Sequence, residues 1–279
     1  MKELTSTLQT NYYDSSKRGL LAIEELRGVL RYRELIGQLI KRELISRYKR
    51  SVLGVAWSML NPFGTMLVLT LVFSSIFHTI DGYPIYILGG LMAWTFFSQT
   101  TSAALSQNVW GGSLLHKIYL PRTTFTVSAL GTGLVNIFIS IIPLILIMLM
   151  LKFPIHLSVL FLPISILILA IFSLGLGLLF STISIYFPDV VEMYSVALTA
   201  WMYFTPIIYP IEVIPPGLKF WVMNLNPMYY YIEIVRQPIF NGEIPSPQLF
   251  ITALIIALVT FCLGWTIFTW KANELTYRT

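Results

Sequence analysis

The chain has 279 residues, of which 56% are hydrophobic and only 11% charged, with a mean hydropathy of +0.75. Soluble domains carry about 25% charged residues, so this composition excludes a water-soluble globular protein and places the chain in a lipid bilayer. The formal net charge of +5 then bears on orientation and lipid headgroups rather than on nucleic acid, since no aromatic-interleaved basic patch is present.

The first fifty residues are polar and basic and lack the pattern of a cleavable signal peptide, so the apolar run that follows is expected to be an anchor. Within them the spacing predicts a helix over 26–49. Val29, Tyr32, Ile36, Leu39, Ile40 and Leu44 fall on one side, and Arg31, Glu34, Gln38, Lys41, Arg42 and Lys49 on the other. An amphipathic helix directly before a span belongs in the interface plane, its apolar face in the acyl boundary and its basic face toward phospholipid or a partner. Simple anchoring and docking both fit that pattern. Ser51-Val52-Leu53-Gly54 then turns the chain into the bilayer.

Six charge-poor stretches follow, near 53–78, 84–108, 123–150, 158–184, 190–209 and 248–270. About 20 helical residues cross about 30 Å of hydrocarbon, and the stretches lack the polar alternation of a porin strand. The expected fold is therefore an all-α integral membrane protein of six transmembrane helices preceded by the interfacial helix. Eleven of the 18 Lys and Arg residues precede Ser51. With six spans, Lys117, Arg122, Lys271 and Arg278 join them on one side, and only Lys152, Lys219 and Arg236 lie opposite. The positive-inside rule makes that crowded side, with both termini, cytoplasmic.

Within the spans, Gly131, Gly133, Gly175 and Gly177 suit close helix packing rather than phosphate binding. Asp189 and Glu192 follow Pro188 at the start of the fifth span, where a helix N-terminus favours negative charge. Residues 211–245 are cut by Pro215, Pro216, Pro227, Pro238 and Pro245 into pieces too short to cross, yet carry Phe220, Trp221, Tyr229, Tyr230 and Tyr231. They are expected to form short re-entrant helices before the last span, or else an aromatic loop on the headgroups. Cys262, the only cysteine, lies in the last span, so no intramolecular disulfide forms.

Catalytic signatures are missing. No Gly-Lys dipeptide occurs, so there is no Walker A loop, and His78, His116 and His156 lack metal-ligand spacing. The spans are almost empty of ionisable groups, which argues against ion-coupled transport. They are rich in aromatics, and sugars stack their C–H faces on such rings; belting at the interfaces and ordinary packing account for many of them. A transporter, channel or scaffold with any ATP chemistry on another chain is the class these features leave.

The segment Lys41-Arg-Glu-Leu-Ile-Ser-Arg-Tyr-Lys-Arg-Ser-Val-Leu-Gly-Val-Ala-Trp-Ser-Met-Leu-Asn-Pro62 resembles the permease subunits of type-2 ABC exporters for polysaccharides, the O-antigen, capsule and teichoic acid group. The resemblance continues through Tyr83–Phe97, Lys117-Ile-Tyr-Leu-Pro-Arg122, Phe204-Thr-Pro-Ile-Ile-Tyr-Pro210, Asn226-Pro227 and Ile232-Glu-Ile-Val-Arg236. It implies a homodimer paired with two copies of an ABC ATP-binding subunit, which would hold the ATP and Mg; no cofactor is expected in this chain. It divides the chain into a cytoplasmic segment, 1–50, and a six-span domain, 51–279, with an external gate at 211–245.

By the same resemblance, Arg42, Arg47, Lys49 and Arg50 make one contact with the ATPase, and His116, Lys117, Tyr119, Pro121 and Arg122 the other. Trp57, Tyr194, Trp201, Tyr203 and Phe204 are the expected lining of a glycan passage at the dimer seam. Leu53 and Gly54 would receive the head of a polyprenyl-pyrophosphate-linked glycan. Pro188-Asp189 stands where members of the group often have Arg-Asp, which puts an arginine contact there in doubt. A type-2 ABC exporter of a small drug or lipid, and a non-ABC scaffold of glycan synthesis, are the rival readings.

Overall fold

The computed structural model describes residues 21–49, 56–77, 80–110 and 121–276, and the described residues form helices and no strands. Among the described residues, three helices are long and apolar enough to cross a membrane: Thr123–Met150, Leu157–Tyr186 and Pro247–Lys271. The elements in chain order are α1 (Leu21–Arg31), α2 (Arg33–Tyr48), α3 (Ala56–Phe73), α4 (Tyr83–Trp110), α5 (Thr123–Met150), α6 (Leu162–Tyr186), α7 (Val190–Phe204), α8 (Pro216–Leu225), α9 (Pro227–Arg236) and α10 (Pro247–Thr276). A 3-10 turn, Leu157–Phe161, leads into α6.

The predicted single helix over 26–49 is two helices, broken at Tyr32. The two-sidedness is only partial: Arg31, Glu34, Gln38, Lys41, Arg42 and Lys49 are exposed and Ile36 is buried, but apolar Leu30 and Ile45 are exposed as well. The apolar side meets protein. The α2 helix packs on α5, where a side chain at Gly131 would overlap Ile40.

The central helix is α4, which packs against α3, α5, α6 and α7. It starts at a sharp turn in which Gly82 has φ +79°, and a Cβ there would run into the Phe153 ring. The largest helix–helix contact is between α6 and α10. There Gly264 sits against the backbone of Gly175, and a Cβ on Gly175 would lie 2.6 Å from Phe261 Cα. Small residues let helix backbones approach this closely, and in lipid that contact supplies the dispersion energy the hydrophobic effect does not.

The fifth predicted stretch ran to 209, but α7 stops at Phe204. Thr205 is extended, with ψ 134°, because the ring of Pro206 excludes helical geometry from the residue before it. At 15 residues and 1.5 Å each, α7 is about 22 Å long, shorter than the hydrocarbon core.

The proline-cut region divides in two. Helix α9 is inserted among α4, α6 and α10, with Tyr231 and Met228 buried and the Tyr231 ring stacked on Phe172 at 4.4 Å. Backbone carbonyls in α9 and two residues beyond its end accept from Ser165 Oγ (to Ile234, 2.7 Å) and Ser158 Oγ (to Pro238, 2.9 Å). Helix α8, by contrast, leaves Phe220 and Trp221 exposed.

Candidate functional site

Three arrangements carry the polar chemistry of this apolar body. The first is a basic face. Arg27, Arg31, Arg33, Lys41, Arg42 and Lys49 are exposed along α1 and α2, and Gln38, Lys41, Arg42, Ile45, Ser46 and Lys49 line a shallow hollow on α2. Helix α1 is tied to the start of α5: Thr123 Oγ1 donates to Glu25 Oε2 at 2.7 Å, and a Cβ at Gly28 would meet Pro121 at 3.0 Å. It also packs against α10.

Arg122 stands directly behind that platform and is only 5% exposed. Its Nη1 donates to the carbonyl of Asn108 at 3.2 Å, near the C-terminal end of α4. Desolvation lowers the pKa of the guanidinium, which nonetheless stays charged. Asn108 Nδ2 lies 2.8 Å from Ala104 O, 2.9 Å from Thr126 Oγ1 and 3.3 Å from Ser181 Oγ, joining α4, α5 and α6 at this end.

The second arrangement is a polar stripe on the half of α4 nearest the basic face. Thr95, Ser98, Ser102, Ser106 and Gln107 are half-buried and Gln99 is exposed, at the i, i+3, i+4 spacing that puts them on one side of a helix. The stripe borders a cleft of about 510 Å³ between α3, α4 and α5, into which Asn61, Thr95, Gln99, Asn136 and Ser140 point along with Trp57 and Phe96. A smaller hollow shares Gln99, Gly133 and Asn136 with it and continues toward Thr100, Gln107 and Glu43. Asn136 Oδ1 and Thr100 Oγ1 are buried without a hydrogen-bond partner.

The third lies at the opposite end of α4, around Arg236, which is 3% exposed. Nη2 donates to the carbonyls of Pro206 and Ile207, each at 3.1 Å, while Nη1 donates to Tyr86 Oη and to Glu233 Oε1, each at 3.0 Å. The guanidinium also lies 3.8 Å over the Tyr86 ring, and a Cβ at Gly90 would come within 2.6 Å of Nη2. Nearby, Asn226 caps α9 by accepting from Met228 N at 3.1 Å. The same Asn226 Oδ1 accepts from Trp201 Nε1 at 2.8 Å, and its Nδ2 donates to Thr205 Oγ1 at 2.9 Å.

Of the residues expected to meet an ATPase, Arg42 and Lys49 are exposed, Pro121 is half-buried against Gly28, and Arg122 is turned inward. The Arg47 side chain, Arg50, His116, Lys117 and Tyr119 lie outside the described residues, as do Leu53 and Gly54. Of the expected passage lining, Trp57 stands at the cleft, 53% exposed. Tyr203 and Phe204 are exposed at the far end of α7. Tyr194 is buried against Phe180, with ring centres 4.9 Å apart, and Trp201 packs edge-on against Trp94 and Phe97. These two bind α7 to the body of the chain. Among the described residues no group of three His, Cys, Asp or Glu is placed to hold a metal ion.

The sequence reading does not single out the polar stripe of α4, and it includes the residues of the Arg236 cluster only as segments of the family resemblance, with no role assigned. The stripe had a readable signal, the helical repeat Thr95, Ser98, Gln99, Ser102, Ser106 inside a charge-free run. Nothing in the spacing shows that Arg236 meets its partners, which are up to 150 residues away.

The family described as ABC-2 type transporter matches residues 34–240. The chain is 27% identical over 238 residues to an O-antigen export system permease protein RfbA of Klebsiella pneumoniae, covering 83% of this chain and 88% of that one. It is 29% identical over 233 residues to the protein of the same name from Myxococcus xanthus, covering 82% and 89%. To the polysialic acid transport protein KpsM of Escherichia coli it is 24% identical over 230 residues, covering 80% and 88%.

Proposed function

The chain belongs to the ABC-2 type transporter family, and from that premise we infer that it is the transmembrane subunit of an exporter that moves a polysaccharide across the membrane. The geometric observation that carries the reading is the amide and hydroxyl stripe on α4. In hydrocarbon such a face would leave its polar groups without partners, at a cost of several kcal/mol for each unsatisfied group. It belongs against water, a second copy or a hydroxylated cargo, and sparse charge suits a neutral sugar chain.

The finer assignments belong to the same proposal. Two copies form six-span protomers in the inner membrane with cytoplasmic termini, and their seam is the passage. Each engages a separate ATP-binding subunit, which holds ATP and Mg. Arg42, Arg47, Lys49 and Arg50 on one element, and His116, Lys117, Tyr119 and Pro121 on the other, meet that subunit. Arg122 transmits its push, because it joins the loop at Pro121 to the end of α4. Residues 211–245 gate the outer side, with Trp57, Tyr203 and Phe204 facing the passage. The cargo rides on a polyprenyl pyrophosphate whose anionic head enters beside Leu53 and Gly54 under the attraction of the basic face.

Deletion of the chain is expected to leave lipid-linked glycan accumulating inside the cell and to empty the surface of it. Normal surface glycan in the deletion strain would overturn the assignment. For the coupling surface, the double variant Arg42→Glu, Lys49→Glu is expected to reach the membrane at normal level but to lose co-purification of the ATP-binding subunit. Retained co-purification would remove these residues from the contact.

A further inference from the structure

We propose that the cleft between α3, α4 and α5 is a binding subsite for an uncharged sugar unit, an inference that rests on the polysaccharide reading and gives it a specific foothold. At about 510 Å³ it falls within the ~300–1,000 Å³ of small-molecule sites, enough for a sugar ring and part of its neighbour. Its lining combines two kinds of surface that a pyranose needs. Trp57 and Phe96 offer flat apolar faces for the C–H side of the ring, and Asn61, Thr95, Gln99, Asn136 and Ser140 offer amides and hydroxyls for its edge.

Two details point to an occupant. Asn136 Oδ1 lines the cleft, and it is buried with no donor. The adjoining hollow, which shares Asn136, contains Thr100, whose Oγ1 is likewise unpartnered. Native structures leave few such atoms, and each carries a desolvation cost that a ligand hydroxyl removes. Gly133, on the wall both hollows share, lets α5 lie close against Thr100 and Phe96, which a Cβ there would strike.

The lining also selects against other cargo. None of the side chains of the main cleft is charged, and the adjoining hollow contributes only Glu43, so a pyrophosphate or another anion gains nothing there. Five hydrogen-bonding side chains among the lining residues make it a poor fit for a wholly apolar drug or acyl chain, which would leave them unpaired.

The test uses the permease with its ATP-binding subunit in lipid nanodiscs, and saturation-transfer difference NMR with methyl glycosides of glucose, galactose, mannose, rhamnose and N-acetylglucosamine. At least one glycoside is expected to take up saturation on its ring C–H protons, with the signal reduced at least fivefold by Asn136→Leu and by the cleft-filling Ser140→Phe. Restoration of hydrogen bonding in Asn136→Ser is expected to return part of it, which separates loss of binding from loss of fold. Absence of transfer from every glycoside, equal signals in all variants, or stronger transfer from a hexose 1-phosphate than from its neutral methyl glycoside would overturn the proposal. Glycan export by the deletion strain carrying the wild-type chain reports the transport reading separately, so export with no cleft binding sinks only the subsite.

Discussion

The two halves of α4 are built on opposite terms. Around Arg236, at the end farthest from the basic face, both terminal guanidinium nitrogens meet acceptors, two carbonyls beyond α7, the Tyr86 hydroxyl and the Glu233 carboxylate, and only Nε is left without one. Along the half nearest the basic face, the side chains of Thr95, Gln99 and Gln107 border open space, and Thr100 and Asn136 each keep a polar atom without a partner. A charge in a low-dielectric interior persists only when its partners surround it. Neutral amides and hydroxyls tolerate incomplete pairing at smaller cost. The first half is therefore suited to hold helices in place, the second to exchange protein partners for those of a passing solute.

Substitutions on the two halves should differ in size and in sign. The largest effect is expected for Arg236→Met, which strands the Glu233 carboxylate and two carbonyls. Loss of a buried pair costs about 3–5 kcal/mol, here toward the lower end because Glu233 keeps some solvent, and it should appear as a lower apparent melting temperature of the purified protein. An unchanged melting temperature would erase the contrast. Gly90→Ala places a methyl group 2.6 Å from Arg236 Nη2 and should cost about 1–3 kcal/mol through overpacking, read in the same way.

Trp201→Phe removes the Nε1 donor to Asn226 and keeps most of the ring contact with Trp94 and Phe97, so about 1 kcal/mol is expected. Proteolysis between α7 and α9 should rise with it. On the other half, Thr100→Val deletes an unpartnered hydroxyl at nearly constant volume. It should leave stability unchanged or raise it by up to about 1 kcal/mol. A clear loss of stability there would show that Thr100 is satisfied in the working protein and that the two halves are alike.

Much of the architecture was legible in the chain itself, because bilayer length and hydropathy leave few options. The starts of α5, α6, α7 and α10 fall within a few residues of the expected boundaries. The basic face on α2 follows from helical spacing alone, and Gly175 serves the close crossing its place in an apolar run implied. The errors have local causes. Helix α7 ends early because Pro206 forbids another turn, a signal present but weighed less than the apolar run. The helix over 26–49 breaks at Tyr32, where no glycine or proline marks the spot.

The candidate site was less legible. Aromatic residues drew attention as channel lining, yet Tyr194 and Trp201 face inward, because an aromatic ring serves packing and sugar stacking equally well. Arg122, expected at the ATPase contact, is buried and binds the Asn108 carbonyl.

Residue order alone dictates a helical membrane protein with a basic side, since periodicity and charge act within a few turns of one segment. Which polar atoms are paired and which face a cleft was decided only when α3, α4 and α5 came together, and α9 entered among α4, α6 and α10. Hydrogen bonds between groups such as Tyr86 and Arg236, 150 residues apart, have no periodicity to betray them, and an empty space belongs to no single segment of the chain.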